Sequence, residues 1–452
     1  MSDDSTFVER LQRRRFMRLA GMAGVAGIAG CSQEELQEDG GDGGDGGGSD
    51  GGDGGDGGGS DGGSDGGDGD MEESEPIQVG VALPFSGDLN DFGTPMMNGL
   101  RLAQEDINAA GGPLGREIEL NDEDTNTDAT QGVNAASKLV ETDGVPYLIG
   151  AVSSGVTISI AQSVTIPNGV LHNTPASSSP AISTLDDDDL VFRTRTNDRF
   201  VAKVMARIIS DEGADSAAVI YINNDFGLAL ADTFESAFSG TTTAKVAYES
   251  GESSYQSILS EAYADDPDYI AFAGYPESGT TILTQWDEGG FGGNWVLHTS
   301  LLSEEVIDSV GADVLNGMFG VRTEPPTGEA TDSFVSDYED TYPDAQVFDP
   351  YSWNSYDSLM SWALAVEKAG TTDPAGVKEE LRSVSNPPGE GVSYGEFESG
   401  VSMIGESDID YAGPSGNVNY DENGDVASDM VVVEVVDGEF TNQRTVPAGD
   451  LV

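Results

Sequence analysis

The sequence is poor in cations and in the residues that form disulfides or bind metals. Its 452 residues include one cysteine, two histidines and 19 lysines and arginines, against 82 aspartates and glutamates. One cysteine excludes an intramolecular disulfide, and no spacing of histidine and cysteine is typical of a metal site, so we expect neither a metal nor a cofactor. The net charge of −63 would repel phosphates, which excludes nucleic acid as a partner.

The N-terminus has the composition of an export signal. Residues 13-RRRFMR-18 and 19-LAGMAGVAGIAG-30 give a basic start followed by an apolar segment too short to span a membrane. Arg13 and Arg14, with an aromatic residue shortly after them, resemble the twin-arginine signal of proteins that are exported already folded. We expect residues 1–31 to be this signal.

Cys31 is the last residue of the signal. The stretch 28-IAGC-31 resembles a lipobox, in which the thiol takes a lipid and the cysteine becomes the first residue of the mature protein. A structural or reactive thiol is the alternative. One acyl chain holds a protein to a membrane only marginally, so we expect a dialkyl-type lipid on Cys31 that anchors the protein on the extracellular face of the cell membrane.

Residues 32–75 predict a flexible tether. Residues 40–70 are almost entirely Gly, Asp and Ser, without the apolar residue in each repeat that the core of a calcium-binding repeat needs. A tether of ~40 residues typically spans about 35 Å. Residues 76–452 keep 63 acidic and 14 basic side chains, a net charge of −49, and this balance resembles that of proteins from extreme halophiles.

From residue 77 onward, short apolar runs alternate with amphipathic segments, which predicts an α/β fold with mostly parallel sheets and helices on both faces. Strands are predicted at 77–83, 117–124, 145–150, 217–222, 244–249, 269–274 and 295–298, and helices at 95–109, 129–141, 199–211, 227–238, 279–289 and 353–369. Late in the chain, 393–397, 417–420 and 430–440 have the pattern of strands, the last with a hairpin turn at Asp437–Gly438.

Five segments, taken together and in order, resemble the periplasmic-binding family that supplies branched-chain amino acids to ABC transporters. They are 80-GVALPFSGDLNDFGTPMMNGLRLAQEDINAAGG-112, 122-DEDTNTDATQGVNAASKLVETDGVPYLIGAVSSGVT-157, 174-TPASSSPAIS-183, 190-LVFRTRTND-198 and 224-NDFGLAL-230. The resemblance implies a type I periplasmic-binding-protein fold, in which two α/β lobes joined by three crossovers close on a ligand. It also implies one lobe from residues 77–194 plus 325–388 and a second from 195–324 plus 389–452.

The stretch 150-GAVSSGVTISIAQ-162 leads from a strand into a helix and places hydroxyls at the helix start. A nucleophilic role for Ser154 would need an activating base and an oxyanion site, and the context is not a G-x-S-x-G elbow. A helix start and a serine hydroxyl together favour a carboxylate, and the resemblance implies this role for Ser154, with Thr157 in the same S-G-x-T motif. A simple N-cap role for Ser153 or Ser154 is the alternative.

The other expected ligand contacts follow from the resemblance. In 175-PASSSP-180 it implies that Ser177 and Ser178 offer a carbonyl to a ligand ammonium and a hydroxyl with an N–H to its carboxylate; a polar loop stiffened by two prolines is the alternative. From the second lobe it implies that Phe226 and Tyr275 close over the ligand. For these two aromatics a place in the core is the alternative.

One departure from the family concerns the ligand's ammonium. Amino-acid binders of the family commonly carry an acid after the strand that corresponds to 295-WVLH-298, but this chain continues with 299-TSLLSEE-305. Thr299 occupies the ligand-binding position without supplying a charge. Either Glu304 or another acid substitutes, or the ligand lacks an α-ammonium, as an amide, a urea-like molecule or a carboxylate would.

Three functional classes remain. The first is a lipid-anchored, non-enzymatic receptor that delivers a small-molecule solute, an amino acid or similar, to the permease subunits of an ABC transporter. The second is a secreted hydrolase, which lacks a credible base and nucleophile because His172 and His298 have the pattern of structural or rim residues at strand ends. The third is a structural surface protein, which needs no ligand cleft.

Overall fold

The computed structural model describes residues 75–324, 327–345 and 350–451. The predicted signal and all but the last residue of the tether, with Arg13, Arg14 and Cys31, therefore lie outside the described residues. Within the described ranges, no helix combines the length and the apolar character needed to cross a membrane.

The first sheet has five parallel strands in the spatial order β2-β1-β3-β4-β5. They are β1 (Ile77–Leu83), β2 (Ile118–Asp124), β3 (Tyr147–Gly150), β4 (Leu171–Thr174) and β5 (Val191–Arg193). Strand β1 pairs with β2 on one side and with β3 on the other, so the chain winds outward from β1 in both directions. Loops that leave neighbouring strands in opposite directions open a crevice at the carboxyl ends of those strands, where ligands bind in such sheets.

The second sheet has seven strands in the order β15-β14-β10-β9-β8-β6-β7. They are β6 (Ser216–Ile222), β7 (Thr241–Tyr248), β8 (Tyr269–Ala273), β9 (Asn294–Leu297), β10 (Phe319–Thr323), β14 (Met430–Val436) and β15 (Glu439–Val446). Strands β6 to β10 are parallel, and β14 returns antiparallel beside β10. Every residue of β8 is buried because helices cover both faces of the sheet.

Helices surround both sheets. They are α1 (Asn90–Ala109), α2 (Ala129–Ser137), α3 (Ser154–Ile160), α4 (Ile166–Asn168), α5 (Asp198–Asp211), α6 (Asp225–Ala237), α7 (Gln256–Ala262), α8 (Pro276–Gly289), α9 (Glu304–Val310), α10 (Ala312–Leu315), α11 (Glu329–Thr341), α12 (Tyr351–Ala369), α13 (Pro374–Ser385) and α14 (Phe397–Ile404). Helix α12 is buried almost all round because α1 and α13 both pack against it. The predicted strands and helices of the α/β region are therefore present, with ends shifted by a few residues.

The hairpin predicted at Asp437–Gly438 is confirmed. Asp437 and Gly438 join β14 to β15 with φ angles of 53° and 82°. Two consecutive residues with positive φ are typical of the two-residue turn whose twist matches that of an antiparallel hairpin, and Asp-Gly is a favoured pair for it.

The segment between residues 390 and 417 differs from the prediction. Strands β11 (Glu390–Val392), β12 (Ile409–Gly413) and β13 (Gly416–Asn417) form a separate small sheet. The strand predicted at 393–397 is instead a turn that leads into α14, and of the strand predicted at 417–420 only the first residue pairs.

The small sheet and the segment after it bond to elements of the first lobe, whereas the predicted division assigns residues 389–452 to the second lobe. Tyr411 of β12 donates a hydrogen bond to Asp357 of α12, with 2.5 Å between the oxygens, and Asn173 of β4 donates to the hydroxyl of Tyr420 over 3.2 Å. The chain returns to the second lobe only with β14. The three crossovers between the lobes follow β5, β10 and β13, so the two-lobed fold that the resemblance implied is confirmed.

Candidate ligand-binding site

The loop after β3 brings the predicted serines to the start of α3. Ser153 occupies the N-cap position, but its hydroxyl makes no capping hydrogen bond within the helix. Its oxygen lies 3.2 Å from the hydroxyl of Tyr275 in the second lobe, whereas the oxygen of Ser154 accepts a hydrogen bond from the backbone N–H of Ser179 over 3.2 Å. Neither serine therefore acts as a simple helix cap.

Thr157 and Ser177 stabilise this loop from within the first lobe. The hydroxyl of Thr157 accepts from the backbone N–H of Ala151 over 2.9 Å and lies 2.7 Å from the hydroxyl of Ser177. The Ser177 hydroxyl donates to the carbonyls of Ala151 and Val152 over 3.1 and 3.0 Å. Because these bonds join the loops after β3 and β4, both side chains hold the loop shape, and neither hydroxyl reaches the second lobe.

The next two serines reach toward the second lobe. Ser178 donates to the carboxylate of Asp198 with 2.5 Å between the oxygens, and Ser179 donates to the backbone carbonyl of Asp225 over 3.0 Å. Ser154 joins them through its bond to the Ser179 N–H. The polar loop 175–180 is therefore a wall of hydroxyls on one side of the cleft.

Phe226 and Tyr275 form the facing wall. Their rings are stacked, with centroids 5.9 Å apart, and both side chains are buried, with 5% and 7% of their surface exposed. The Tyr275 hydroxyl accepts a hydrogen bond from Asn224 over 3.0 Å in addition to its contact with Ser153. The expected aromatic pair is therefore brought together opposite the serines, and the two lobes touch directly.

Thr299 does not face this cleft with its hydroxyl. That hydroxyl donates to the backbone carbonyl of Val321 over 2.7 Å, a bond between the end of β9 and β10. Glu304 lies at the exposed start of α9. The hydroxyl of Thr299 thus bonds to the neighbouring strand β10 and is not available to a ligand.

Asp198, at the start of α5, is the site residue that the sequence analysis missed. Its side chain is completely buried, Ser178 donates to one carboxylate oxygen, and Nε2 of His298 lies 3.1 Å from that same oxygen. Burial alone would raise the pKa of Asp198, but His298, Arg195 and the Ser178 hydroxyl outweigh burial and hold the pKa below its usual range. The group is therefore a carboxylate at neutral pH.

The signal for Asp198 was present in the sequence. It ends the segment 190-LVFRTRTND-198 and occupies the first position of a helix whose N-cap is Asn197. An acid there is usually attributed to the helix dipole, so the sequence alone gave no reason to place it in the cleft.

The two histidines have different surroundings. His172 is fully buried, with Nε2 2.7 Å from the Gly150 carbonyl and Nδ1 3.2 Å from the Thr165 hydroxyl, and burial lowers its pKa to about 4. It is a neutral core residue that supports the loop after β3. His298 packs edge-on against Phe226, with ring centroids 4.9 Å apart, so it belongs to the second-lobe side of the cleft.

Asp198, His298 and Ser300 lie in a row that resembles the order of a hydrolase triad. Nδ1 of His298 is 2.8 Å from the Ser300 hydroxyl, but that hydroxyl donates to the Gly274 carbonyl over 2.6 Å and the Ser300 backbone N–H donates to the same Nδ1. The imidazole therefore caps a tight turn and does not activate the serine. Within the part of the chain that the structure describes, no group of three His, Cys, Asp or Glu could hold a metal ion.

Two α/β lobes, three crossovers and a cleft with hydroxyls facing aromatics define a two-lobed solute-binding protein. The chain belongs to the periplasmic binding protein family, whose sequence profile it matches over residues 76–439. The resemblance stated from the sequence is thereby confirmed, and the fold and family are those of binding proteins.

Individual relatives support this assignment. The chain is 27% identical over 384 residues to the chemotactic signal transduction system substrate-binding protein BasB of Halobacterium salinarum, covering 83% of this chain and 91% of that protein. It is 27% identical over 301 residues to Leu/Ile/Val-binding protein homolog 3 of Brucella melitensis, covering 66% and 80%. Among solved structures, the leucine-binding protein LivK of Thermotoga maritima matches with a TM-score of 0.70 at 26% identity, covering 83% of this chain and 99% of that chain.

Proposed function

We propose that this protein is the extracytoplasmic, lipid-anchored solute receptor of an ABC importer and that it captures a branched-chain or related amino acid by closing its two lobes. The observation that carries the proposal is the direct contact between the serine loops and the second lobe. Ser178 meets Asp198 and Tyr275 meets Ser153, so two of the residues expected to hold a ligand also make contacts between the lobes.

Each wall has its own task in this proposal. Ser154 donates its hydroxyl proton to the ligand carboxylate and the start of α3 adds backbone N–H groups, while the Ser178 hydroxyl donates to the carboxylate of Asp198. Phe226 and Tyr275 cover the aliphatic side chain, which an apolar ring surface binds well. Thr157 and Ser177 keep the two first-lobe loops in register, since their hydroxyls are bonded within that lobe.

The N-terminal residues give the proposed location. Lipid on Cys31 anchors the protein to the extracellular face of the membrane after twin-arginine export through Arg13 and Arg14, and residues 32–75 let the lobes reach the permease. A Cys31→Ser variant should appear in the medium instead of the membrane fraction.

A second candidate partner is a chemotaxis transducer. The similarity to the chemotactic binding protein BasB extends over 83% of this chain, and a closed, liganded receptor offers the same surface to a transducer as to a permease. A strain that lacks this protein would then lose attraction to the ligand, whereas an importer alone would affect only its uptake.

Calorimetric titration with L-leucine in molar KCl, at neutral pH, tests the proposal. We expect saturable binding to one site, together with a rise in melting temperature because the ligand binds only the folded state. Absence of heat and of thermal stabilisation with leucine, isoleucine and valine would reject the amino-acid assignment. Binding of an amide, a urea-like molecule or a simple carboxylate in their place would establish the alternative solute class.

A further inference from the structure

An α-amino acid carries an ammonium group that needs an anionic or carbonyl partner once water is excluded. The segment that begins at Thr299 gives no such partner in the cleft, because Thr299 donates to Val321 and Ser300 donates to Gly274. If the ligand is an amino acid, its ammonium group therefore needs another anionic or carbonyl partner in the cleft.

Asp198 is a buried carboxylate with one oxygen left over. Ser178 and His298 both approach Oδ2, whereas Oδ1, among the described residues, has no hydrogen-bond partner. Leaving an oxygen of a fully buried carboxylate without a donor is costly, so native proteins rarely do so without a functional reason.

The surroundings place the carboxylate of Asp198 between the two walls of the cleft. Ser178 belongs to the hydroxyl wall, and His298 packs against Phe226 of the aromatic wall. Asp198 therefore lies where the two walls meet, beside the crossover that follows β5.

Arg195 is the arginine whose charge acts on Asp198; its Nη1 is bonded elsewhere, whereas its Nε is buried and, among the described residues, has no hydrogen-bond partner. Its Nη1 donates to the Thr323 hydroxyl over 2.5 Å, and its guanidinium lies 5.4 Å from the centre of the Tyr351 ring. The charge of Arg195 lowers the pKa of Asp198 but does not supply the missing donor to Oδ1.

We propose that Oδ1 of Asp198 accepts a hydrogen bond from the ligand's ammonium group and thereby selects α-amino acids over ligands of the same shape without that group. This inference rests on the proposed function. The segment after β9 lacks an acid for the ammonium group. On this inference Asp198 is that acid, and it lies at the start of α5, on the crossover between the lobes.

Two probes of equal shape test the assignment. L-Leucine and L-2-hydroxy-4-methylpentanoate differ only in carrying an ammonium or a hydroxyl on Cα. In calorimetric titrations in molar KCl, the wild-type protein should bind leucine more tightly. Asp198→Asn should weaken leucine binding about ten- to a hundred-fold and change hydroxy-acid binding by less than about threefold, because the buried charge acts on the ammonium alone.

Asp225→Asn is the matched control. Asp225 also lies at the contact between the lobes, but it accepts from Ser179 through its backbone carbonyl, so the amide variant keeps that bond. We expect it to retain both affinities within about threefold.

Three outcomes would overturn the inference and leave the proposed function standing: equal wild-type affinities for the two probes, unchanged leucine binding in Asp198→Asn, or an equal loss for both probes. An equal loss would make Asp198 only a counter-charge for Arg195. If Asp198→Asn does not fold, Ser178→Ala serves as the second variant, because it removes the bond that orients Asp198. It should lower the ratio of the leucine affinity to the hydroxy-acid affinity. An unchanged ratio would contradict the inference. Failure of the wild-type protein to bind either probe would instead reject the proposed function.

Discussion

Ser154 connects the two loops that form the hydroxyl wall. Its oxygen accepts the backbone N–H of Ser179, and among the described residues its own proton has no acceptor. A hydroxyl with a spare proton, only 3% exposed and at a helix start, is suited to donate to an anionic ligand group.

We predict that Ser154→Ala weakens leucine binding about ten- to a hundred-fold, since a buried charge-assisted hydrogen bond contributes about 1.5–3 kcal/mol. Calorimetric titration and a melting curve in the same molar-salt buffer measure affinity and stability separately. Ser159→Ala is the control, because the Ser159 hydroxyl bonds back to the Gly155 carbonyl over 2.8 Å within α3. Unchanged affinity with only a lowered melting temperature would show that Ser154 supports the loop and does not hold the ligand.

Asp357 is a buried acid of the first lobe that has no ion-pair partner among the described residues. Burial raises its pKa to about 7, even though Tyr411 and the backbone N–H of Ser415 donate to it over 2.5 and 2.8 Å. The unfolded chain loses this proton near pH 4, so the folded state binds more protons between about pH 4 and 7. The free energy of unfolding therefore falls as pH rises through that range.

We predict that Asp357→Asn flattens this part of the stability profile. Between pH 4.5 and pH 8, the free energy of unfolding of the variant should rise relative to that of the wild type by up to about 4 kcal/mol. Denaturant unfolding in molar salt measures this difference. Asp425→Asn should instead remove a pH dependence below about pH 4, where the wild type loses stability as its carboxylate is protonated, because the pKa of Asp425 is lowered: burial is outweighed by Arg193, whose Nε lies 2.5 Å from the carboxylate. Parallel profiles for the wild type and Asp357→Asn would contradict the assignment of the proton to Asp357.

At the residue scale, the sequence predicts where a residue lies when the residue belongs to a recognisable motif. It does not predict contacts that form only when distant segments are buried together. Ser154, Phe226 and Tyr275 lie in loops or helix starts that follow strands, so their positions could be predicted from the sequence, whereas their roles as ligand contacts stay a prediction. Asp198 was missed because its partners, Ser178 and His298, come from segments far apart in the sequence. Thr299 was placed by position alone, and its hydroxyl bonds to a neighbouring strand that the sequence analysis did not predict.

At the scale of elements, closure brings α3 against α6. Gly155 lies at this contact, and a Cβ there would stand 3.2 Å from a carboxylate oxygen of Asp225. A larger side chain at position 155 would therefore separate the two helices without disturbing the core of either lobe.

We predict that Gly155→Val weakens leucine binding about five- to a hundred-fold, because overpacking costs about 1–3 kcal/mol and here affects only the closed state. Titration calorimetry measures the affinity, and the melting curve without ligand should move little. Gly391→Val is the control, since a Cβ at Gly391 meets nothing within 4 Å. Equal affinities for the two variants would show that α3 and α6 do not approach each other when the ligand binds.

The elements themselves were predictable to different degrees. The buried strands β1, β6 and β8 have continuous apolar sequences, and the β14–β15 hairpin carries its turn signal, so local pattern was sufficient. The segment 393–397 was misassigned because its short alternating pattern fits a strand, whereas tertiary contacts hold it as a turn before α14. Membership of the small sheet in the first lobe depends on bonds such as Tyr411 to Asp357, which no local pattern reveals.

At the scale of the whole molecule, charge repulsion opposes compaction. Residues 76–452 carry a net charge of −49, and the described surface ion pairs, such as Lys138 with Glu123 and Arg382 with Asp189, contribute little individually. Screening extends over about 3 Å at 1 M salt and about 30 Å at 0.01 M, so carboxylates repel one another over much longer distances in dilute salt.

We predict that the melting temperature rises steeply with KCl between about 0.01 and 1 M and that structure is lost at the low end. Circular dichroism monitors the transition. Sucrose at low salt is the control, because it favours burial without screening charge. A melting temperature independent of KCl, or an equal rise with sucrose, would show that the acidic surface does not govern stability.

Closure of the lobes on an amino acid is the central claim, and the distance between the lobes tests it most directly. Cys31 is the only cysteine, so Cys31→Ser provides a background in which Thr130→Cys on α2 and Ser236→Cys on α6 accept a dye pair. Single-molecule energy transfer in molar KCl should show the closed population growing saturably with L-leucine, with a midpoint equal to the calorimetric dissociation constant. An energy-transfer distribution that stays unchanged at saturating leucine would contradict the account.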